Sequence, residues 1–164
     1  MCTRSHLFIL FVSVLSLCGA TEYYVKPTEP TNTSCPAQPC LTLSQYINNS
    51  DNYFQSNTIF KFLPGIHHMD RPLDVRDVQS MSLESYYSHN NEWPHLVAQF
   101  SWGSKGSTCV YVPIYDYYGA GANACCATVW LSDSQNITLK GISITSHTPG
   151  MSGIIVQRVL NMNI

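Results

Sequence analysis

Three stretches of this chain repeat one form, and that repeat constrains the fold more than any other feature. Val78-Gln79-Ser80-Met81-Ser82-Leu83, Ser134-Gln135-Asn136-Ile137-Thr138-Leu139 and Val159-Leu160-Asn161-Met162-Asn163-Ile164 each carry a polar corner, an apolar residue, a small polar residue and a second apolar residue. Leu139 and Ile164 lie 25 residues apart and Phe60 and Leu83 lie 23 apart. The 56 residues from Leu83 to Leu139 suit two turns of the repeat plus an inserted loop. Periods of roughly 20–50 residues belong to stacked architectures, and short strands with polar corners and no long helix between them point to a β-solenoid. The alternative is an antiparallel β-sandwich in which the similarity is accidental.

Other segments fit the same plan. Residues 58–63 read as a strand broken at Pro64-Gly65, and 66–69 resume extended. Leu73-Asp74-Val75-Arg76-Asp77-Val78 alternates apolar and charged residues, the period of a half-buried strand. Val129-Trp130-Leu131, Ile142-Ser143-Ile144 and Ile154-Ile155-Val156 supply further short strands. Near the start, Tyr23-Tyr24-Val25 is β-prone and is halted by Pro27 and Pro30. Thr42 is placed to cap a helix, with Gln45 closing a capping box and Leu41 and Tyr46 forming a hydrophobic staple. Leu43, Tyr46 and Ile47 fall on one helical face, and the polar run 48–52 ends the helix, a short amphipathic lid.

Residues 1–20 read as a cleaved secretory leader: Arg4 and His6, an apolar run over 7–17, then small residues at Cys18 and Ala20. The apolar run falls short of the roughly 20 residues that a membrane helix needs. Cleavage takes away Cys2 and Cys18 and leaves Cys35, Cys40, Cys109, Cys125 and Cys126. No paired C-x-x-C spacing suggests a metal, and a secreted context favours disulfides. The short loop closed by two prolines predicts a Cys35–Cys40 bond; Cys109 then pairs with Cys125 or with Cys126, leaving one thiol. Asn32, Asn48 and Asn136 head N-x-S/T sequons, glycan acceptors where exposed. The formal charge of −2 gives no footprint for nucleic acid, and no later run is long or apolar enough to span a bilayer.

At Tyr23-Tyr24-Val25, Cys35-Pro36…Pro39-Cys40-Leu41-Thr42-Leu43, Phe60-Lys61-Phe62-Leu63-Pro64-Gly65-Ile66-His67 and the corner-strand units ending at Lys140-Gly141-Ile142, the chain resembles secreted animal proteins with a right-handed parallel β-helix, the fold of pectate lyases. The resemblance implies an all-β solenoid with a short helix capping its first coil. It divides the chain into a leader (1–20), a disulfide loop and capping helix (21–56), and the first coils (57–164), interrupted by an aromatic and Gly-rich loop over about 90–127. With about four coils and no capping element after Ile164, the chain reads as the N-terminal portion of a longer solenoid.

The strongest enzymatic candidates are Asp70, Arg71, Asp74, Arg76 and Asp77. Lyases of this fold use carboxylates for calcium and a basic residue to abstract a proton, so acids must converge on one face. Asp74 and Arg76, two apart, share a strand face while Asp77 points the other way; the plainer reading is a solvated, charge-alternating face. His67 and His68 point to opposite faces and do not suit one metal ion. Trp93, Trp102, Tyr115 and Tyr117 lie in a segment whose aromatics either stack on a ligand or roof the coils. The reading that follows is a secreted, non-catalytic recognition or scaffold module that binds glycans or proteins. The alternative is a polysaccharide lyase or glycoside hydrolase acting on extracellular polysaccharide, with calcium as its cofactor if a lyase.

Overall fold

The computed structural model describes residues 19–29, 34–86, 93–99, 127–146 and 152–164. The fold is mostly β, with twelve strands and two short helices among the described residues. They run β1 (Thr21–Lys26), β2 (Cys40–Thr42), α1 (Leu43–Ile47), α2 (Ser50–Tyr53), β3 (Thr58–Phe62), β4 (Gly65–Met69), β5 (Leu73–Arg76), β6 (Gln79–Ser85), β7 (Pro94–Ala98), β8 (Ala127–Ser132), β9 (Gln135–Lys140), β10 (Ser143–Ser146), β11 (Ser152–Gln157) and β12 (Leu160–Asn163).

The strands form three sheets, ordered β12-β9-β6-β3-β1-β2, β10-β7-β4 and β11-β8-β5. From β3 onward the chain visits the first, second and third sheet in turn and then begins again. Every described pairing is parallel, which excludes the antiparallel sandwich considered above. Strand β7 is a correction of another kind, because Pro94–Ala98 falls within the segment read as an inserted loop over 90–127. Proline opens this strand, a position at which its missing N–H costs no interior ladder bond.

Alternation decides what each strand buries. Tyr23, Phe60, Leu83 and Leu139 occupy one inward column of the first sheet, and Thr58, Met81, Ile137 and Met162 another. Leu73–Val129–Ile154 and Val75–Leu131 form the equivalent columns of the third, and Val156, in register with Leu131, is exposed. Outward on the first sheet, Lys61 Nζ lies 2.5 Å from the Glu84 carboxylate of the next circuit; this pair holds the Lys61 ammonium above its ordinary pKa.

The corners repeat as strictly as the strands. Asp77, Asp133 and Arg158 have φ of 54°, 49° and 51°, and three residues later Ser80, Asn136 and Asn161 have φ of 58°, 54° and 57°. A left-handed backbone costs an ordinary residue about 1–2 kcal/mol, and Asn and Asp reduce that cost by bonding locally. Asp77 is thus no inward-facing strand residue: β5 ends at Arg76, and Asp77 turns the chain at an exposed corner.

The N-terminal end is closed as the sequence predicts. Thr42 caps α1 with the full capping box, and Leu43, Tyr46 and Ile47 are buried. Tyr46 contacts Tyr23, Tyr53 and Phe60, and its hydroxyl donates to the Tyr24 and Pro39 carbonyls, both at 3.0 Å. Burial pushes the phenol up to about 12. The polar run 48–52 ends α1 but does not end helix altogether, since α2 begins at Ser50. Cys35 and Cys40 are disulfide-bonded as expected, while Cys109, Cys125 and Cys126 lie outside the described residues.

Phe60 is fully buried between Tyr46, Tyr23 and Phe54, whereas its neighbour Ile59 is half-buried on the outer face. Phe60→Ala is therefore expected to destabilise by about 3–5 kcal/mol and Ile59→Ala by far less, measured by urea denaturation; equal losses would contradict the assigned faces.

Candidate functional site

The outer face of the third sheet carries the most developed polar cluster. Period-two alternation turns Asp74 and Arg76 outward together, as expected, while Leu73 and Val75 enter the core. Arg76 grips Asp74 with two hydrogen bonds: Nε to Oδ1 at 2.7 Å and Nη2 to Oδ2 at 2.5 Å. That bond is the main cause of an Arg76 pKa above its ordinary value. In the adjoining strand Trp130 pairs in register with Asp74, and the Arg76 guanidinium sits 5.2 Å from the centre of its ring, a cation–π contact.

These groups form one side of an open cleft of about 570 Å³. Asp74, Arg76, Ala127 and Trp130 come from β5 and β8; Arg71 and Pro72 precede β5; Ile47, Ser50, Asp51 and Phe54 come from α1, α2 and the turn after it. Trp130 is 7 % exposed, and its indole N–H, itself closed off from solvent, has no hydrogen-bond acceptor among the described residues. The Arg71 Nε atom also lacks a hydrogen-bond acceptor, with the Asp70 carboxylate 4.0 Å away, but the Arg71 side chain as a whole is 44 % exposed.

Of the five charged candidates, the structure thus brings Arg71, Asp74 and Arg76 to the cleft, while Asp77 lines a separate corner depression with Asp133 and Arg158. There the Arg158 guanidinium, bonded to both oxygens of Asp133, holds that carboxyl below its usual range. Trp130 was missed as a site residue. Its available signal was an indole whose strand parity matches that of polar Thr128 and Ser132.

Trp93 is 54 % exposed but stands away from the cleft, its ring packed over Gly141. Gly141 has φ of +64°, a conformation that favours glycine, and a β-carbon there would come within 2.6 Å of the indole, so any side chain would displace the ring. Trp102, Tyr115 and Tyr117 lie outside the described residues, as does Asn32. Asn48 is exposed at the C-cap of α1; Asn136 is exposed at its corner, where its Oδ1 accepts from Asn161.

His67 points inward and His68 outward. His67 is fully buried against Phe62, its Nε2 donating to the Leu63 carbonyl at 2.8 Å; desolvation lowers its pKa to about 4. His68 Nε2 lies 3.2 Å from Glu29 on the other face. No group of three His, Cys, Asp or Glu side chains able to hold a metal occurs among the described residues, and among them no helix is long and apolar enough to cross a membrane. The chain matches no known family, no curated protein and no solved structure.

Two measurements follow from these placements. Because the folded state binds a proton at His67 less tightly than the unfolded state does, the neutral ring's contribution is complete above about pH 6.5 and is lost as pH falls through about 4. The difference is about 3 kcal/mol; urea denaturation over this window should reveal it as a slope that His67→Leu flattens, and identical slopes would refute it. The Asp74–Arg76 pair, with side chains 35 % and 43 % exposed, is a weak source of stability, so Arg76→Gln should shift unfolding by less than about 1 kcal/mol.

Proposed function

We propose that this chain is a secreted, non-catalytic recognition module built on a right-handed parallel β-helix, and that it binds extracellular glycan in the cleft beside Trp130. The observation that carries this reading is the bidentate Arg76–Asp74 pair packed on Trp130. An ion pair held in place by an indole offers fixed donors and acceptors, and Ile47, Phe54 and Pro72 add apolar surface on the same cleft, the combination that orients a sugar ring.

The fold part of the proposal rests on a chain that enters three parallel sheets in a fixed cyclic order. Parallel crossovers are right-handed in the great majority of cases because strands twist one way. Secretion is supported by the leader-like residues 1–20, by the Cys35–Cys40 bond, by β1 starting at Thr21 directly after them, and by the exposed sequon asparagines Asn48 and Asn136.

The lyase reading is less well supported by the same atoms. A carboxylate that served calcium would work beside other acids, and both oxygens of Asp74 instead accept from the Arg76 cation. A proton-abstracting base works best with a pKa near the operating pH, and Asp74 moves Arg76 further from it.

The test uses secreted protein incubated with a panel of extracellular polysaccharides, including uronate polymers with calcium, scoring both retention and unsaturated products. Retention without cleavage, abolished in Arg76→Gln while the circular-dichroism spectrum is unchanged, is the expected result. Unsaturated product that disappears in Asp74→Asn would overturn the non-catalytic reading.

A further inference from the structure

We infer that Asn48 carries an N-linked glycan at the rim of the cleft, and that this glycan makes the cleft bind short oligosaccharides and chain ends in preference to the interior of a long polymer. The inference rests on the reading of a secreted, glycan-binding module and adds to it a modification site and a size limit on the ligand.

The modification starts from Asn48-Asn49-Ser50, an N-x-S triplet without proline at its centre. A glycan is bulky, so a folded chain keeps one only where the asparagine side chain can leave the surface. Asn48 is exposed, and as the C-cap of α1 it has an ordinary right-handed backbone with φ of −65°. Its N–H is satisfied by the Ser44 carbonyl at 2.9 Å. The amide that donates back to the helix belongs to its neighbour Asn49, which bonds the Gln45 carbonyl at 3.1 Å. Transfer breaks an N–H bond at Asn48 Nδ2 and joins that nitrogen to the first sugar of a lipid-linked oligosaccharide. The lipid diphosphate leaves, and the proton passes to solvent.

The fold decides where such a glycan stands. Ile47 before Asn48, and Ser50 and Asp51 after it, line the helical wall of the cleft that also holds Asp74, Arg76 and Trp130. A glycan rooted between lining residues occupies the edge of that cleft. The cleft itself encloses about 570 Å³, the size of a pocket for one small ligand. A longer chain must therefore lead out across the rim. A polymer held by an interior unit has two arms to lead out, whereas a chain end has one and a short oligosaccharide has little beyond the cleft. Bulk at the rim thus opposes the polymer most. Asn136 is exposed as well, but its neighbour Gln135 lines the separate corner depression, so a glycan there leaves the cleft clear.

The test compares the secreted full chain, the same protein after enzymatic glycan release, Asn48→Gln, and Thr138→Val, which removes the Asn136 sequon and leaves the corner residue in place. Peptide mass spectrometry reads occupancy at Asn48. Binding is measured for short neutral and acidic oligosaccharides and for the polymers they come from. The expected result is an occupied Asn48, with short oligosaccharides bound alike by every form. Polymer binding should rise several-fold in Asn48→Gln and after enzymatic release, and stay unchanged in Thr138→Val. The released protein keeps the comparison decisive if Asn48→Gln is poorly secreted. An unoccupied Asn48, or polymer binding that its glycan does not alter, would overturn the inference and leave the recognition module standing. An equal gain for short oligosaccharides or in Thr138→Val would do the same. Binding of no probe by any form would overturn both.

Discussion

Register between successive circuits is the constraint on which the rest of the molecule depends. A slip of one residue in a parallel ladder exchanges the two faces of a strand. In the first sheet it would turn Phe60, Leu83 and Leu139 outward and carry Lys61, Glu84 and Lys140 into the core, and unpaired buried charges cost several kcal/mol each. The corners prevent it. The left-handed residues recur at the same two places in each turn, three residues apart. The segments between them are bonded from turn to turn, Gln135 N–H to the Val78 carbonyl and Leu160 N–H to the Ser134 carbonyl, both at 3.0 Å. Inserting a residue at a corner would break this spacing before it disturbed any strand.

The capping helices complete the core and also shape the cleft. The buried Tyr46 hydroxyl needs an acceptor for its proton, and the Tyr24 carbonyl within β1 and the Pro39 carbonyl just before β2 share that role. Phe54 follows α2 with its ring stacked 4.8 Å from Phe60, and it lines the cleft as well. A side chain fixed against the core on one side and open to ligand on the other holds its position without a ligand to order it, the kind of preorganisation that lowers the cost of binding.

Much of this was legible in sequence because period and corner chemistry are local. The capping box at Thr42 and Gln45, the Cys35–Cys40 loop and the outward pairing of Asp74 with Arg76 depend on neighbours a few residues away. Two features were hidden for physical reasons. The alternation of residues 73–78 runs on past the end of β5, so nothing in the pattern marks Asp77 as a left-handed corner. Strand β8 alternates Val129 and Leu131 with Thr128, Trp130 and Ser132, so two polar residues mark its outward set, but the large indole between them reads as core when taken alone. Its register with Asp74 is what assigns Trp130 to the cleft.

Burial of β8 on both faces separates the third sheet from the first. On β3 and β6 the outward side chains are only half-buried, so Lys61 and Glu84 remain partly hydrated. On β8, Thr128, Trp130 and Ser132 are 0 %, 7 % and 3 % exposed although they belong to the outward set. Water is thus largely removed from the indole while the ion pair lying on it keeps access to solvent. A hydrogen bond or cation–π contact gains strength where water is excluded, whereas a charge wholly removed from water would have to be neutralised or paid for in stability. Trp130 and Arg76 divide these requirements between adjacent strands: the uncharged donor takes the dry position and the charged group takes the wet rim.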